Sequence, residues 1–222
     1  GRKFDTSLVK ELNESSRVCI ETFKRFRYQD FKVEPNMRIP IEWDHFEAYL
    51  SSMSSKYRVR YRRARKKLDG IEIRPLTLLD LDAFKERMHE LYLEIANSAQ
   101  LNLVNLNPNY HIRLKEKLGD DIHIIGYFLD QKMVGFYTLL VNNKSIDAGY
   151  LGIDSKYNLS YQIYLNMLYD MVDQAIGIGA EDLIFARTAL EIKSSVGAIP
   201  EEKVLLVRHQ NPILHRLTKE FL

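Results

Sequence analysis

The order of elements predicted between Ile122 and Arg208 constrains the fold of this chain most strongly. Two apolar segments, Ile122–Leu129 and Met133–Val141, form a predicted hairpin across Asp130–Lys132, and Ile146–Ile153 is predicted as a third strand. These segments would form three neighbouring antiparallel strands. They leave a broad apolar layer that other elements of the chain must cover.

The segment after this third strand predicts a long helix and a parallel strand. Between Asn158 and Ile178 the apolar residues fall on two adjacent rows, too wide a stripe for a surface helix, so the helix must lie against the sheet. Gly177 and Gly179 end it, and Asp182–Ala186 is predicted as a buried strand. A strand, helix and strand of this length form a right-handed parallel crossover. The fold class is therefore α/β with a mixed sheet.

Composition limits the class of protein. With 222 residues, of which 45% are hydrophobic, the chain can bury one large core or two small ones. The single cysteine cannot form an internal disulfide, and no Cys/His cluster has metal-ligand spacing, so we expect a reducing, cytoplasmic location and no metal. The longest apolar runs have about eight residues, far short of the roughly 20 that a membrane helix needs.

All of the positive charge in excess lies in one segment. Residues 56–67 hold eight basic residues and no acid, while Met53, Tyr57, Tyr61, Ala64 and Leu68 recur on one helix face. The pattern predicts a docked amphipathic helix with basic residues on its outer side. Two interpretations are open: a solvated face, or a surface that binds phosphates, RNA or an anionic membrane leaflet.

The first 69 residues are predicted to form an N-terminal extension that ends in this basic helix, and residues 70–222 a separate domain. Within the extension, Leu8–Leu12 predicts a short helix and Arg17–Phe23 a strand. The chain starts with Gly1 and has no initiator methionine, so we expect a piece of a longer polypeptide with an upstream domain.

The pattern becomes clearer from Ile71 onwards. Ile71–Arg74 alternates as a strand, and Thr77 with Asp80 predicts a capping box for a helix with a buried apolar stripe. Asn97–Asn107 is predicted as a polar loop. Two further elements are predicted after Ala186. They are a short helix that carries Arg187 and Lys193, and a last strand at Val204–Val207.

A ligand site is expected at Ile153–Gln162. In open sheets with crossover helices, ligands collect beyond the carboxyl ends of strands where the topology changes. A helix N-terminus there offers backbone N–H groups to an anion, with Asn158, Ser160 or Tyr161 adding a side-chain hydrogen bond. The alternative is that Asp154 or Asn158 only caps the helix.

Four segments of the chain resemble the GNAT-fold N-acyltransferases, and more closely their FemAB-like and cellulose-biosynthesis-type branch. They are IEIRPLTLLDLDAF, KMVGFYTLL and FARTALEIKSSVGA, together with the basic SSKYRVRYRRARKKLDG that precedes them. The resemblance implies a GNAT-like fold after an N-terminal helical and strand extension. Over residues 154–162, where most of these enzymes have a glycine-rich loop, this chain has DSKYNLSYQ without glycine, which indicates an altered donor or lost activity.

The resemblance implies an acyl transfer to an amine by direct attack, without a metal. The first implied donor is acyl-CoA, with acetyl-CoA as the leading co-substrate. The second is an aminoacyl-tRNA, whose aminoacyl group would be transferred to a cell-wall type precursor. In that case the basic helix would bind the tRNA or the phosphorylated precursor. A non-catalytic anion-binding module is the third reading. A small molecule or peptide supplies the amine. The implied donor-binding residues are Gly152, Ile153, Asn158, Tyr161, Gln162, Arg187 and Lys193.

Individual side chains have competing interpretations. Arg187 and Lys193 could hold a phosphate or carboxylate, or pair with Glu191 or Asp182. Candidate catalytic residues are His123 and Asp147 as general base, against a structural role, and Tyr150 as proton donor to a leaving thiolate.

Overall fold

The computed structural model describes residues 5–13, 16–98 and 105–221. These residues fall into two compact units, a smaller one from residues up to 37 together with those from 199 onwards, and a larger one from residues 38–198. The basic helix lies within the larger unit. None of the helices in the described ranges is long and apolar enough to cross a membrane.

The smaller unit is built on a three-stranded layer. Strand β1 pairs antiparallel with β8, and β2 lies on the other side of β8. The last residues of β2, from 38 onwards, belong to the larger unit. Its elements are β1 (Thr6–Leu12), α1 (Arg17–Arg25), β2 (Gln29–Pro40), β8 (Ile199–His209) and α9 (Pro212–Phe221).

Both N-terminal predictions of secondary structure are wrong. Leu8–Leu12 lies in β1, where Val9 is opposite Leu206 of β8, a pairing between opposite ends of the chain that no local pattern contains. Arg17–Phe23 lies in helix α1 instead of a strand. Its Val18 is 82% exposed, so no neighbouring strand covers this β-branched residue.

The larger unit contains a five-stranded layer with the order β7-β6-β5-β4-β3. The pairs of β3 with β4, β4 with β5 and β5 with β6 are antiparallel, and β6 pairs parallel with β7. The predicted hairpin, third strand and parallel crossover are thereby confirmed. The elements are α2 (Phe46–Ser52), α3 (Ser55–Lys66), β3 (Ile71–Pro75), α4 (Leu78–Ala96), α5 (Tyr110–Leu118), β4 (Ile122–Leu129), β5 (Lys132–Asn142), β6 (Ser145–Ile153), α6 (Ser155–Tyr161), α7 (Ile163–Ile178), β7 (Asp182–Phe185) and α8 (Leu190–Ser194).

Helix α4 starts with the predicted capping box. The Thr77 hydroxyl accepts from the Asp80 N–H at 3.2 Å, and the Asp80 carboxylate accepts from the Thr77 N–H at 2.9 Å. Arg74 contacts the same carboxylate at 2.9 Å. The polar loop predicted at Asn97–Asn107 lies mostly outside the described residues.

The single helix predicted from Asn158 to Ile178 is divided in two. Gln162 adopts a left-handed conformation with a φ of 49°, which ends α6 and begins α7. The side chain of Asn166 stabilises this break, because its amide nitrogen donates to the carbonyls of Tyr161 and Gln162 at 3.2 and 3.1 Å. Helix α7 is buried along most of its length, as the wide apolar stripe predicts.

The basic helix α3 is docked on α7. Ala64 is fully buried, and the ring of Tyr61 packs edge-on against Tyr169 with centroids 4.9 Å apart. Arg65 forms an ion pair with Asp170 of α7, so one of the basic residues serves the packing of this helix. The predicted amphipathic docking is confirmed.

Close packing of α4 on β6 depends on Gly152. A Cβ atom at this position would lie 2.7 Å from the carbonyl carbon of Leu91 and 2.5 Å from a ring carbon of Phe136. The first of these atoms is helix backbone, which cannot move aside without shifting α4.

We expect Gly152→Ala to lower the free energy of unfolding by about 1–3 kcal/mol, because it overpacks the contact between α4 and β6. Gly177→Ala in α7 is the matched control. A Cβ atom added there would meet no described atom within 4 Å, so the change should stabilise the helix by about 0.5–1 kcal/mol. Urea unfolding measures both. Equal effects of the two substitutions would contradict the packing role of Gly152.

Candidate functional site

Strands β6 and β7 separate partway along their length. Their parallel pairing runs from Ser145 opposite Asp182 to Asp147 opposite Ile184, and no later residue of β6 is paired with β7. On the other side, β6 remains paired with β5 up to Ile153. The second half of β6 therefore has one edge that no described strand covers. We call this opening the split.

Two backbone N–H groups of β6 face the split. The Thr138 hydroxyl donates to the Tyr150 carbonyl at 2.8 Å, so this carbonyl points towards β5. The carbonyl and N–H of one trans peptide point in opposite directions, which directs the N–H of Leu151 into the split. The Asp154 N–H donates to the Val134 carbonyl of β5 at 2.9 Å, so by alternation the N–H of Ile153 also faces the split.

A cavity of about 430 Å³ opens at the split. Its walls come from α4, β6, α7 and the segment that follows β7, and most of the side chains are apolar. Apolar contacts include Ile95, Leu151, Leu168, Met171 and Phe185. A cavity of this size and character is typical of a site that buries much of a small organic ligand.

Two cationic residues, Arg187 and Lys193, line the cavity on the side of the segment after β7. Lys193 is only 4% exposed, and its ammonium group donates to the carbonyls of Ala186 and Arg187, the latter at 3.0 Å. Asp182, a suggested partner for these cations, pairs with Arg38. Lys193 therefore organises the segment that carries Arg187.

The backbone of this segment is unusual. Thr188 and Ala189 both have positive φ angles, 74° and 50°, and both line the cavity. A β-branched residue seldom adopts this conformation, and such outliers cluster at functional sites. The sequence gives no signal for it, because no glycine or asparagine stands at either position.

The N–H groups at the starts of α6 and α7 already have protein acceptors. The Ser155 N–H donates to the Glu94 carboxylate at 3.0 Å, and the Lys156 N–H donates to the Asp154 carboxylate at 3.2 Å. The Tyr164 N–H donates to the side-chain oxygen of Asn158 at 3.0 Å. Asp154 thus caps α6, and Asn158, which lies inside α6, accepts a hydrogen bond from the first turn of α7.

Asp154 ties the end of β6 to α4. It is 5% exposed, and its carboxylate accepts from the Arg87 guanidinium at 2.6 Å, with Lys132 at 3.5 Å. Burial acts to raise the pKa of Asp154, but the hydrogen bonds from Arg87 and the Lys156 N–H outweigh it and lower the pKa. The carboxylate stays ionised and holds the rim of the split in place.

The structure brings half of the predicted site residues together. Those that line the cavity are Tyr150, Ile153, Asn158, Arg187 and Lys193. These residues are far apart in sequence but meet because β6, α6 and the segment after β7 all end at the split.

The other predicted site residues lie outside this lining, and their roles stay predictions. His123 is opposite Leu139 in the middle of the antiparallel layer, and Asp147 lies in the part of β6 that is paired with β7. Gly152 faces α4. Tyr161 packs against Tyr157, and Gln162 lies at a different hollow.

That hollow has a volume of about 500 Å³ and lies between α3 and the start of α7. We call it the basic groove. It is lined by Ser55, Lys56, Val59, Arg60, Arg63 and Gln162. No described carboxylate pairs with its three cations, in contrast to Arg65.

Sequence reasoning missed the contribution of α4 to the cavity. Tyr92, Ile95 and Ala96 line it, yet their helical spacing predicts only a buried stripe. Core residues and ligand-contacting residues have the same periodicity, so only the position of α4 beside the split separates them.

Comparison with known proteins shows the fold. No family model and no curated protein sequence matches the chain. Among solved structures, FemX superposes with a TM-score of 0.69 at 13% identity, over 97% of this chain and 74% of FemX.

Two further solved structures have a similar fold. The C-terminal domain of a putative lysylphosphatidylglycerol synthetase from Agrobacterium fabrum has a TM-score of 0.62 at 11% identity, over 96% of this chain and 70% of that one. A GCN5-related N-acetyltransferase from Sphaerobacter thermophilus has a TM-score of 0.54 at 12% identity, over 94% of this chain and 61% of that one. The chain has a GNAT-like fold, as the sequence resemblance implies, and this fold is similar to that of FemX.

Proposed function

We propose that this protein is an N-acyltransferase that moves an acyl group from acyl-CoA, with acetyl-CoA as the first candidate, to an amine by direct attack. One observation carries the proposal: the N–H groups of Leu151 and Ile153 face an apolar cavity that Arg187 and Lys193 flank. Amide donors suit a developing oxyanion, and the cations suit an anionic donor.

The chemistry follows from this arrangement. The lone pair of the amine attacks the thioester carbonyl and forms the C–N bond, and the negative charge that develops on oxygen is stabilised by the Leu151 N–H. Collapse breaks the C–S bond and releases a thiolate, to which the Tyr150 hydroxyl donates a proton. The amine gives up its proton to water at the open side, and water returns a proton to the Tyr150 phenolate, so that the protons balance.

The side chains present fit an acyl-CoA co-substrate in most respects. Leu168 and Met171 offer an apolar wall to its pantetheine arm, and Arg187 can pair with a phosphate. The carboxylates of Glu94 and Asp154 repel phosphates from the start of α6. We therefore expect the phosphates to bind at the cations after β7, which agrees with the absence of glycine from residues 154–162.

We expect acetyl-CoA to raise the melting temperature by an amount that grows with its concentration, equivalent to about 2.7 kcal/mol at one hundred times the Kd. Arg187→Gln should weaken this binding about tenfold, because it removes a charge-assisted contact. Arg113→Gln, on the exposed side of α5, is the control and should leave the affinity for acetyl-CoA unchanged. Thermal shift assays measure the binding. The absence of any shift with millimolar CoA thioesters would contradict the proposal.

We expect Tyr150→Phe to lower kcat by about a hundredfold and to change KM little, because the ring stays and only the proton donor is lost. CoA release with an amine acceptor measures the rate. Tyr157→Phe, on α6 outside the cavity lining, is the control and should keep the wild-type kcat. An unchanged kcat in Tyr150→Phe would remove this residue from the mechanism. CoA binding without thiol release for any amine would favour the non-catalytic anion-binding module.

A second candidate is an aminoacyl-tRNA-dependent transferase acting on a cell-wall type precursor. The basic groove favours it, since Lys56, Arg60 and Arg63 converge there without a described acidic partner. The similarity of fold to FemX agrees with it. Arg65 is excluded from this surface because it pairs with Asp170.

If this candidate is correct, tRNA binds with a strong salt dependence that comes from the basic groove. The double variant Arg60→Gln, Arg63→Gln should reduce the slope of log K against log salt by about 2, because each arginine neutralises one phosphate. Filter binding over a salt series measures the slope, and Arg113→Gln is again the control. An unchanged slope would exclude the groove as the RNA site.

A further inference from the structure

Three tyrosines from different elements form one aromatic cluster, and two of them, Tyr92 and Tyr150, line the cavity. The ring of Tyr150 on β6 contacts Tyr92 of α4 and Tyr110 of α5, with centroids 5.7 Å apart in both pairs. The interplanar angles are 87° and 88°, so both neighbours stand perpendicular to the Tyr150 ring. We call these three residues the tyrosine box.

Each outer ring of the box contacts a histidine, while the central ring of Tyr150 is partly exposed. His89 stacks on Tyr92 with centroids 6.1 Å apart, and His111 packs edge-on against Tyr110 at 5.2 Å. Tyr92 is 5% exposed, whereas Tyr150 is 44% exposed, and both line the cavity. A large aromatic ring that is held by two others and still exposed is suited to contact a ligand.

Charge is distributed unevenly around the cavity. The described residues that line it include Arg187 and Lys193 but no aspartate or glutamate. The cations come from the segment after β7, and the tyrosine box comes from α4, α5 and β6, of which α4 packs on both α5 and β6. An ammonium group that enters this cavity meets tyrosine rings and no carboxylate among the described lining residues, and these rings lie on other elements than the two cations. Aromatic faces attract cations through the ring quadrupole.

We propose that the tyrosine box binds an alkylammonium group, so that the acceptor of the proposed reaction is a cationic amine. The identity of the acceptor rests on the proposed function. The binding of an alkylammonium group to the box does not depend on it. The anionic donor and the cationic acceptor then contact different elements that line one cavity. The amine reacts after it loses a proton to solvent, and the acylated product is neutral and no longer attracted to the rings.

The test compares choline with 3,3-dimethylbutan-1-ol, which has the same shape without the charge. Titration calorimetry is done on the whole chain without CoA, so the result does not depend on the donor. We expect choline to bind roughly tenfold more tightly than the neutral compound. Equal affinities, or no choline binding, would overturn the proposal whatever CoA does.

Variants locate the effect. Tyr150→Leu should abolish the preference for choline, and Tyr150→Phe should keep it within about threefold, because the ring face supplies the attraction. Tyr157→Leu is the matched control and should behave like the wild type. A preference that survives in a folded Tyr150→Leu protein, as judged by circular dichroism, would overturn the assignment to the box. If choline binds but no CoA thioester does, the box stands and the acyltransferase proposal fails.

Discussion

The separation of β6 from β7 is the feature on which the rest of the site depends. While the two strands are paired, from Ser145 to Asp147 of β6, their backbone groups satisfy each other. Beyond that point β7 gives way to the segment with Arg187 and Lys193, and the amides of β6 face a cavity instead of a strand. Unpaired backbone donors in an apolar setting are costly unless a ligand or water satisfies them. That cost is what makes the split suitable for binding a developing oxyanion.

Keeping the split open requires support from both sides. On one side, Asp154 joins Arg87 of α4 to the end of β6, and Gly152 lets α4 approach the strand closely. On the other side, Lys193 donates to the carbonyls of Ala186 and Arg187, directly before the left-handed Thr188. Preorganised contacts of this kind reduce the reorganisation needed when a substrate reacts.

The sequence predicted the larger unit well and the smaller one poorly. The helices and strands between Ile122 and Ile178 could be predicted because each has its own apolar periodicity within a short stretch of sequence. Strand β1 depends on pairing with β8 at the far end of the chain, so its residues alone predict a helix. In the site, the predicted residues Tyr150, Arg187 and Lys193 line one cavity, and their roles stay predictions. The α4 tyrosine and the ion pair of Arg87 with Asp154 depend on tertiary packing, and no local pattern indicates them.

The central claim is that the amides of Leu151 and Ile153 face the bound donor. Proton–nitrogen NMR spectra of the labelled protein, recorded during titration with acetyl-CoA, test it most directly. The account predicts saturable shifts of these two resonances, with the amide of His123 on β4 unaffected. Saturation of binding with both amides unmoved, and shifts confined to the basic groove at Arg60 and Arg63, would contradict it.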